Sequence, residues 1–290
     1  MANSIEKFKQ YVTLLDEVYK STAKTSVLDG ASELARQGAN ADELVIPKIS
    51  MDGLGDYDRN TGYTKGDVTM TNETVKCNFD RGRMFSIDNV DNMETAGLAY
   101  GRLSGEFIRT KVVPELDAFR IAKYSATEGA DITAEAAYTT GEAAYKAIAA
   151  KYDAMTDAEV PEADRHLFIT STIYGLIRDM DSYKSKELMS KFASVQVMPQ
   201  SRFYTAIEQL DGKTEGQTAG GYKKADGGFA LNFLIVHKAA VIQFQKHVAP
   251  KVVTPEQNQD ADAYKFGYRN VGIADTYENK AAGIAGTYAN

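Results

Sequence analysis

The chain has 290 residues, 43% hydrophobic and 25% charged, with a formal net charge of -7 and one cysteine, Cys77. That length suffices for one large or two ordinary cores, while a lone cysteine rules out an internal disulfide framework and fits a reducing compartment. The acidic balance, without a long basic run, argues against a nucleic-acid groove, and no signal-peptide core or stretch of about eighteen apolar residues supports secretion or membrane spanning.

Residues 4–20 place Ile5, Phe8, Val12, Leu15 and Tyr19 on one face behind a Ser4 cap, which predicts an amphipathic helix in an N-terminal arm. ELVIPKISM, 43–51, reads as a strand that Pro47 confines to an edge or an isolated ribbon. Turn formers fill 52–66. DVTMTNETVKCNFDRGRMFSID, 67–88, then alternates at Val75, Cys77 and Phe79, breaks at Arg81, Gly82 and Arg83, and resumes at Phe85 and Ile87. Together these segments predict a long β-hairpin with a polar, glycine-rich tip. A two-stranded ribbon is marginal in water, so something outside it should cover it. Tyr57, Asp58, Arg59 and Tyr63 at the tip and Arg81 and Arg83 at the base are the candidate contacts. The arginines are included because a guanidinium can hold a carboxylate through two hydrogen bonds.

In residues 91–128, Met93, Tyr100, Leu103, Phe107 and Ile108 recur at helical spacing behind an Asp91 or Asn92 cap. Gly97, Gly101 and Gly105 each cost about 1 kcal/mol against Ala, which implies a close neighbour. Pro114 predicts a kink or two helices in series, with Phe107 a buried anchor. Residues 129–140 read as a polar joint and 141–155 as a helix. HLFITS, 166–171, reads as a strand feeding a helix over 172–180 capped by Ser171, the start of an α/β layer. SVQVMP reads as a further strand, and 211–228 as an exposed loop with little role in folding. FALNFLIVH is the strongest buried strand, and 241–286 supplies three or four antiparallel strands.

Chemical motifs are sparse. GKT at 212–214 lacks the glycine that a phosphate loop needs five positions earlier, where Ile207 stands. Ser21 and Lys24 form Ser-x-x-Lys without companion motifs. His166, His237 and His247 lie far apart and read as satisfied structural residues. Asp56, Asp58, Asn60 and Asp67 mimic a calcium loop, but Gly62 comes one place late and no helices flank it. No catalytic, cofactor-binding or metal site is predicted, and an enzyme reading has no residues to rest on.

The order of arm, ribbon, long helix, α/β middle and closing strands, with the segments ELVIPKISMDGLGDYDRNTGY, CNFDRGRMFSIDNVDN, GEFIRTKVVPELDAFR, SRFYTAI, FLIVHKAAVIQFQKHVAPKV and NQDADAYKFGYR, carries a resemblance. Over nearly its whole length the chain resembles the major capsid proteins of tailed bacteriophages with the Hong Kong 97-type fold, most closely those of phages of Gram-positive hosts. The resemblance implies an α+β fold. Its parts would be an N-terminal arm at 1–42, an extended β-hairpin loop at 43–90, a peripheral domain with a spine helix at 91–138, an axial domain at 139–242, and peripheral strands at 243–290. It implies hexamers and pentamers in an icosahedral virion shell, assembled in the host cytoplasm around DNA that is not read by sequence, with no membrane. A scaffolding protein, a portal and a decoration protein are the implied partner classes. No long coiled-coil leader such as some relatives carry is expected ahead of the arm. An encapsulin-like nanocompartment around protein cargo uses the same fold and is the alternative.

Overall fold

A computed structural model describes residues 23–30, 36–37, 43–90 and 98–290; the helix expected over 4–20 and the start of the long helix lie outside them. The ribbon consists of β1 (Arg36–Gln37), β2 (Glu43–Met51) and β3 (Val68–Lys76). β2 and β3 pair antiparallel from Glu43 opposite Lys76 to Met51 opposite Val68. Among the described residues β1 covers β2 only at Leu44 and Val45, so Pro47, which lacks a donor, sits where no described strand pairs with that edge.

The expected break at Arg81–Arg83 is not there. The strand interrupts at Cys77 and Asn78, where the Asn78 amide bonds the carbonyl of Ala274 at 2.7 Å and its N–H at 3.1 Å. β4 (Phe79–Asp88) then runs without interruption along β12 (Ala263–Thr276), with Gly82 opposite Arg269. A Cβ on Gly82 would stand 2.8 Å from the Tyr268 carbonyl oxygen, so this glycine permits close approach of two backbones and does not end a strand. β11 (Val241–Val253) completes a three-stranded sheet in the order β11-β12-β4.

The long helix is two helices in series. α1 (Leu98–Phe107) passes through a π-helical turn at Ile108–Val112 into α2 (Val113–Ser125), with helical backbone at both joints. The wider turn takes up the disturbance that Pro114 brings without breaking the rod. α2 packs on β12 and buries Val113, Leu116, Phe119, Ile121 and Tyr124.

A second, five-stranded sheet has the order β5-β13-β10-β6-β7, formed by β5 (Asp131–Glu135), β6 (Arg165–Thr170), β7 (Ser194–Met198), β10 (Ala230–His237) and β13 (Ile284–Ala289). Two expectations change here. The polar joint at 129–140 contains β5, parallel to β13, and β13 joins this sheet instead of the peripheral strands β11 and β12. Against the sheet lie α3 (Gly141–Asp157), α4 (Ser171–Asp179) and α5 (Tyr183–Ser190), the last absent from the sequence reading. The cap of α4 is Thr170, whose hydroxyl accepts from the Ile173 N–H, one residue before the expected Ser171. β10 serves two cores. Leu234 and Val236 face the cluster shared with α2, while Phe233 and Ile235 face the cluster under α3 and α4, an alternation that lets one buried strand join both layers.

Candidate functional site

At the ribbon tip, Asp58 closes a turn by accepting the N–H groups of Asn60 and Thr61 at 2.6 and 3.2 Å. The carboxylate of the calcium-like pattern is thus engaged by backbone. The rings of Tyr57 and Tyr63 lie 4.9 Å apart on the tip, Tyr63 being 88% exposed, and Arg59 makes no ion pair among the described residues. Beside them Met51, Leu54, Val68 and Met70 are exposed. Met51 stands opposite Val68, so the distal ribbon presents an apolar cross-strand pair to solvent. Val75, nearer the base, is buried against Ile242 and Ile273 of the same chain. The signal for the distal set is the two-residue spacing of Val68 and Met70.

The base is different. Arg81 donates from Nε to Glu115 at 2.7 Å and from Nη2 to the carbonyls of Leu210 and Gly221 at 2.7 and 3.2 Å. Its carboxylate therefore belongs to its own chain. Arg83 donates to the carbonyls of Thr218 and Ala219 at 3.0 and 3.2 Å, between Gly212 and Gly220. The two arginines organise the segment expected to be a featureless loop, which also contains β9 (Tyr222–Lys224), paired with β8 (Ile207–Gln209). Within it Asp211 accepts from the N–H groups of Lys213 and Thr214 and from the Thr214 hydroxyl, and these bonds hold its carboxyl down to about 2. The GKT sequence is thus the turn that this aspartate caps. A groove of about 1390 Å³ runs between the loop, α1 and β4, lined by Phe85, Leu103, Phe107, Tyr204, Tyr222 and Tyr268. Phe107 is half-buried and sits at 4.8 Å from the Phe85 ring, not the enclosed anchor expected.

A short 3-10 helix at Lys24–Leu28 docks on α2. Buried Asp117 and Arg120 meet it, and the Tyr124 hydroxyl donates to Gln243, which in turn donates to the Thr25 carbonyl. Elsewhere, His166, expected to be a satisfied histidine, bonds Ser194 through Nδ1 at 2.8 Å, while its buried Nε2 has no partner among the described residues. Among the described residues no group of His, Cys, Asp or Glu could hold a metal ion, and no helix is long and apolar enough to cross a membrane.

No family model and no curated protein matches the sequence. Solved structures do. A chain of Mycobacterium phage Che8 aligns with TM-score 0.59 and 14% identity, over 93% of this chain and 91% of that one. The capsid structure of Cyanophage P-SCSP1u aligns with TM-score 0.54 and 12% identity, over 88% and 85%. The virus-like particle from Pyrococcus furiosus aligns with TM-score 0.59 and 10% identity, over 98% and 100%. The chain has the α+β fold of these structures, the Hong Kong 97 type.

Proposed function

We propose that this chain is a major capsid protein, the structural, non-enzymatic wall subunit of an icosahedral shell of hexamers and pentamers that encloses a phage genome. The observation that carries this reading is the distal ribbon, where Met51, Leu54, Tyr57, Tyr63, Val68 and Met70 are exposed on an element with no core of its own. Each such side chain buried against a neighbour contributes about 1.5–3 kcal/mol, and a closed shell repeats that gain in every subunit. In this reading Tyr57, Asp58, Arg59 and Tyr63 at the tip and the exposed Arg83 at the base contact the next subunit, while Arg81 braces the base from within. Residues 1–42 are the arm, 43–90 the extended loop, 91–128 with β11 and β12 the peripheral domain, and β5 and β13 join 139–242 in the axial domain. The segments quoted above extend the reading to phages of Gram-positive hosts, with assembly in the host cytoplasm and a scaffold, portal and decoration protein as partners.

The test is to replace Gly53–Lys65 by Gly-Gly. Circular dichroism should stay unchanged, while analytical ultracentrifugation and electron microscopy should show shells for the intact chain and none for the deletion. Normal shells from the deletion would overturn the bridging role. The full-length alignment with the Pyrococcus furiosus particle supports a second reading, a nanocompartment around protein cargo. Particles from the native source that hold duplex DNA favour the first reading, and particles that hold protein favour the second.

A further inference from the structure

Each of the two sheets that meet at the ribbon has one edge closed by a proline and one left open. The Asp52 N–H bonds the Asp67 carbonyl at 3.2 Å, and bonded and non-bonded pairs alternate from there along β2 and β3, so Val68, Met70 and Asn72 turn their N–H and C=O groups away from β2. Pro47, opposite Asn72, stands where its missing N–H costs no bond, and it blunts the far edge. In the second sheet the Asn89 N–H bonds the Asp262 carbonyl at 3.0 Å, which turns Gly82, Met84 and Ser86 outward on β4 and leaves Pro250 of β11, opposite Tyr268, on the blunted edge. Among the described residues no backbone bond reaches the outward groups of 68–72 or 82–86.

The two open edges differ in chemistry. Residues 68–72 read VTMTN, with no charged side chain, and Val68 and Met70 are 71% and 64% exposed. β4 carries Arg81 and Arg83, both held to carbonyls of the 211–221 loop. An uncharged, unblunted edge rich in β-branched residues is a template for another strand. Among the described long strands, a second copy of this chain offers a matching edge in its own β3, since prolines close β2 and β11 and arginines flank β4.

We propose that β3 pairs antiparallel with β3 of a second copy, about a two-fold axis at Met70. That register sets Met70 opposite the partner's Met70, Val68 opposite the partner's Asn72 and Thr69 opposite the partner's Thr71, and the outward groups of 68, 70 and 72 close about six backbone bonds. These cross-strand pairs cover the exposed Val68 and Met70 and bring no like charges together. The pairing needs only two copies, so it stands or falls independently of the shell reading.

The test uses the full chain carrying Cys77→Ser, with products read on a denaturing, non-reducing gel whether or not shells form. Met70→Cys should give a disulfide-linked dimer on mild oxidation, because directly opposite residues of a bonded pair stand about 5.5 Å apart at Cα, within disulfide reach. Mixed V68C and N72C chains should cross-link to each other, with little product from either alone, which fixes the register. Adding Met70→Pro to both removes an outward N–H that the ribbon itself does not use, and should abolish that product while circular dichroism stays unchanged. Met70→Lys, which keeps the N–H but sets two ammonium groups face to face, should abolish it as well. No dimer from Met70→Cys, an equal product from V68C alone, or a V68C–N72C product that survives Met70→Pro or Met70→Lys would each overturn the proposal.

Discussion

Asp117 holds Thr25 twice, accepting its hydroxyl at 2.7 Å and its backbone N–H at 3.1 Å with one carboxylate oxygen. The Thr25 hydroxyl in turn accepts from Arg120 at 3.0 Å, so a fully buried anion and cation share one small side chain. Asp117→Ala would leave the Thr25 hydroxyl, the Lys24 and Thr25 N–H groups and Arg202 without the acceptor they share. A loss of about 3–5 kcal/mol is expected in urea titration. Thr25→Val, which keeps the shape and both charges, should cost about 1–2 kcal/mol.

The two base arginines should separate by burial. Arg81→Ala strands Glu115 and two loop carbonyls in a partly closed site, and is expected to cost about 1–3 kcal/mol and to open the 211–221 loop to limited proteolysis. Arg83 is exposed, so Arg83→Ala should cost less than about 1 kcal/mol and leave β8 and β9 paired.

Two glycines predict opposite signs. A Cβ on Gly141 would stand 2.2 Å from the Leu176 carbonyl oxygen and 2.6 Å from Met180 Cγ, so Gly141→Ala forces α3 and α4 apart at about 1–3 kcal/mol. Gly175, inside α4, has open space around it, and Gly175→Ala should stabilise by about 0.5–1 kcal/mol. Calorimetric transition temperatures should move down for the first and up for the second.

Acid should weaken the five-stranded sheet. Burial lowers the proton affinity of both His166 and His237, against the pull of Asp164 on each. The unfolded chain protonates these rings near the ordinary histidine value of about 6.5, and the folded chain only at lower pH. Their contribution is therefore intact above about 6.5 and declines as pH falls through the folded values. Urea midpoints between pH 7.5 and 5 should fall, and His166→Gln should flatten that slope.

Much of the framework is legible in the sequence where burial is continuous. HLFIT and ALNFLIVH are apolar on both faces because both faces are covered, and they read as β6 and β10 without help. DITAE does not read as β5: four of its five residues are exposed, and it is a strand only because β13 lies beside it. Gly82 reads as a break when its neighbours along the chain are the only context, and its role appears once Tyr268 is in place. The tip residues Tyr57, Asp58, Arg59 and Tyr63 are identifiable because turn formers surround them. The partner of Arg81 is not, since a side-chain pair formed across a long loop leaves no periodic mark; nor are Met51 and Val68, whose shared face depends on the register.

Because β13 is inserted between β5 and β10, with Asp131 meeting Ala285, the five-stranded sheet depends on residues far apart in the chain. A chain arrested before residue 284 would expose the flanks of both strands and fail to close that layer. Closure of that layer is therefore a non-local step, slowed by a loop-closure entropy that must be met before the pairing of β5 with β13 rewards it.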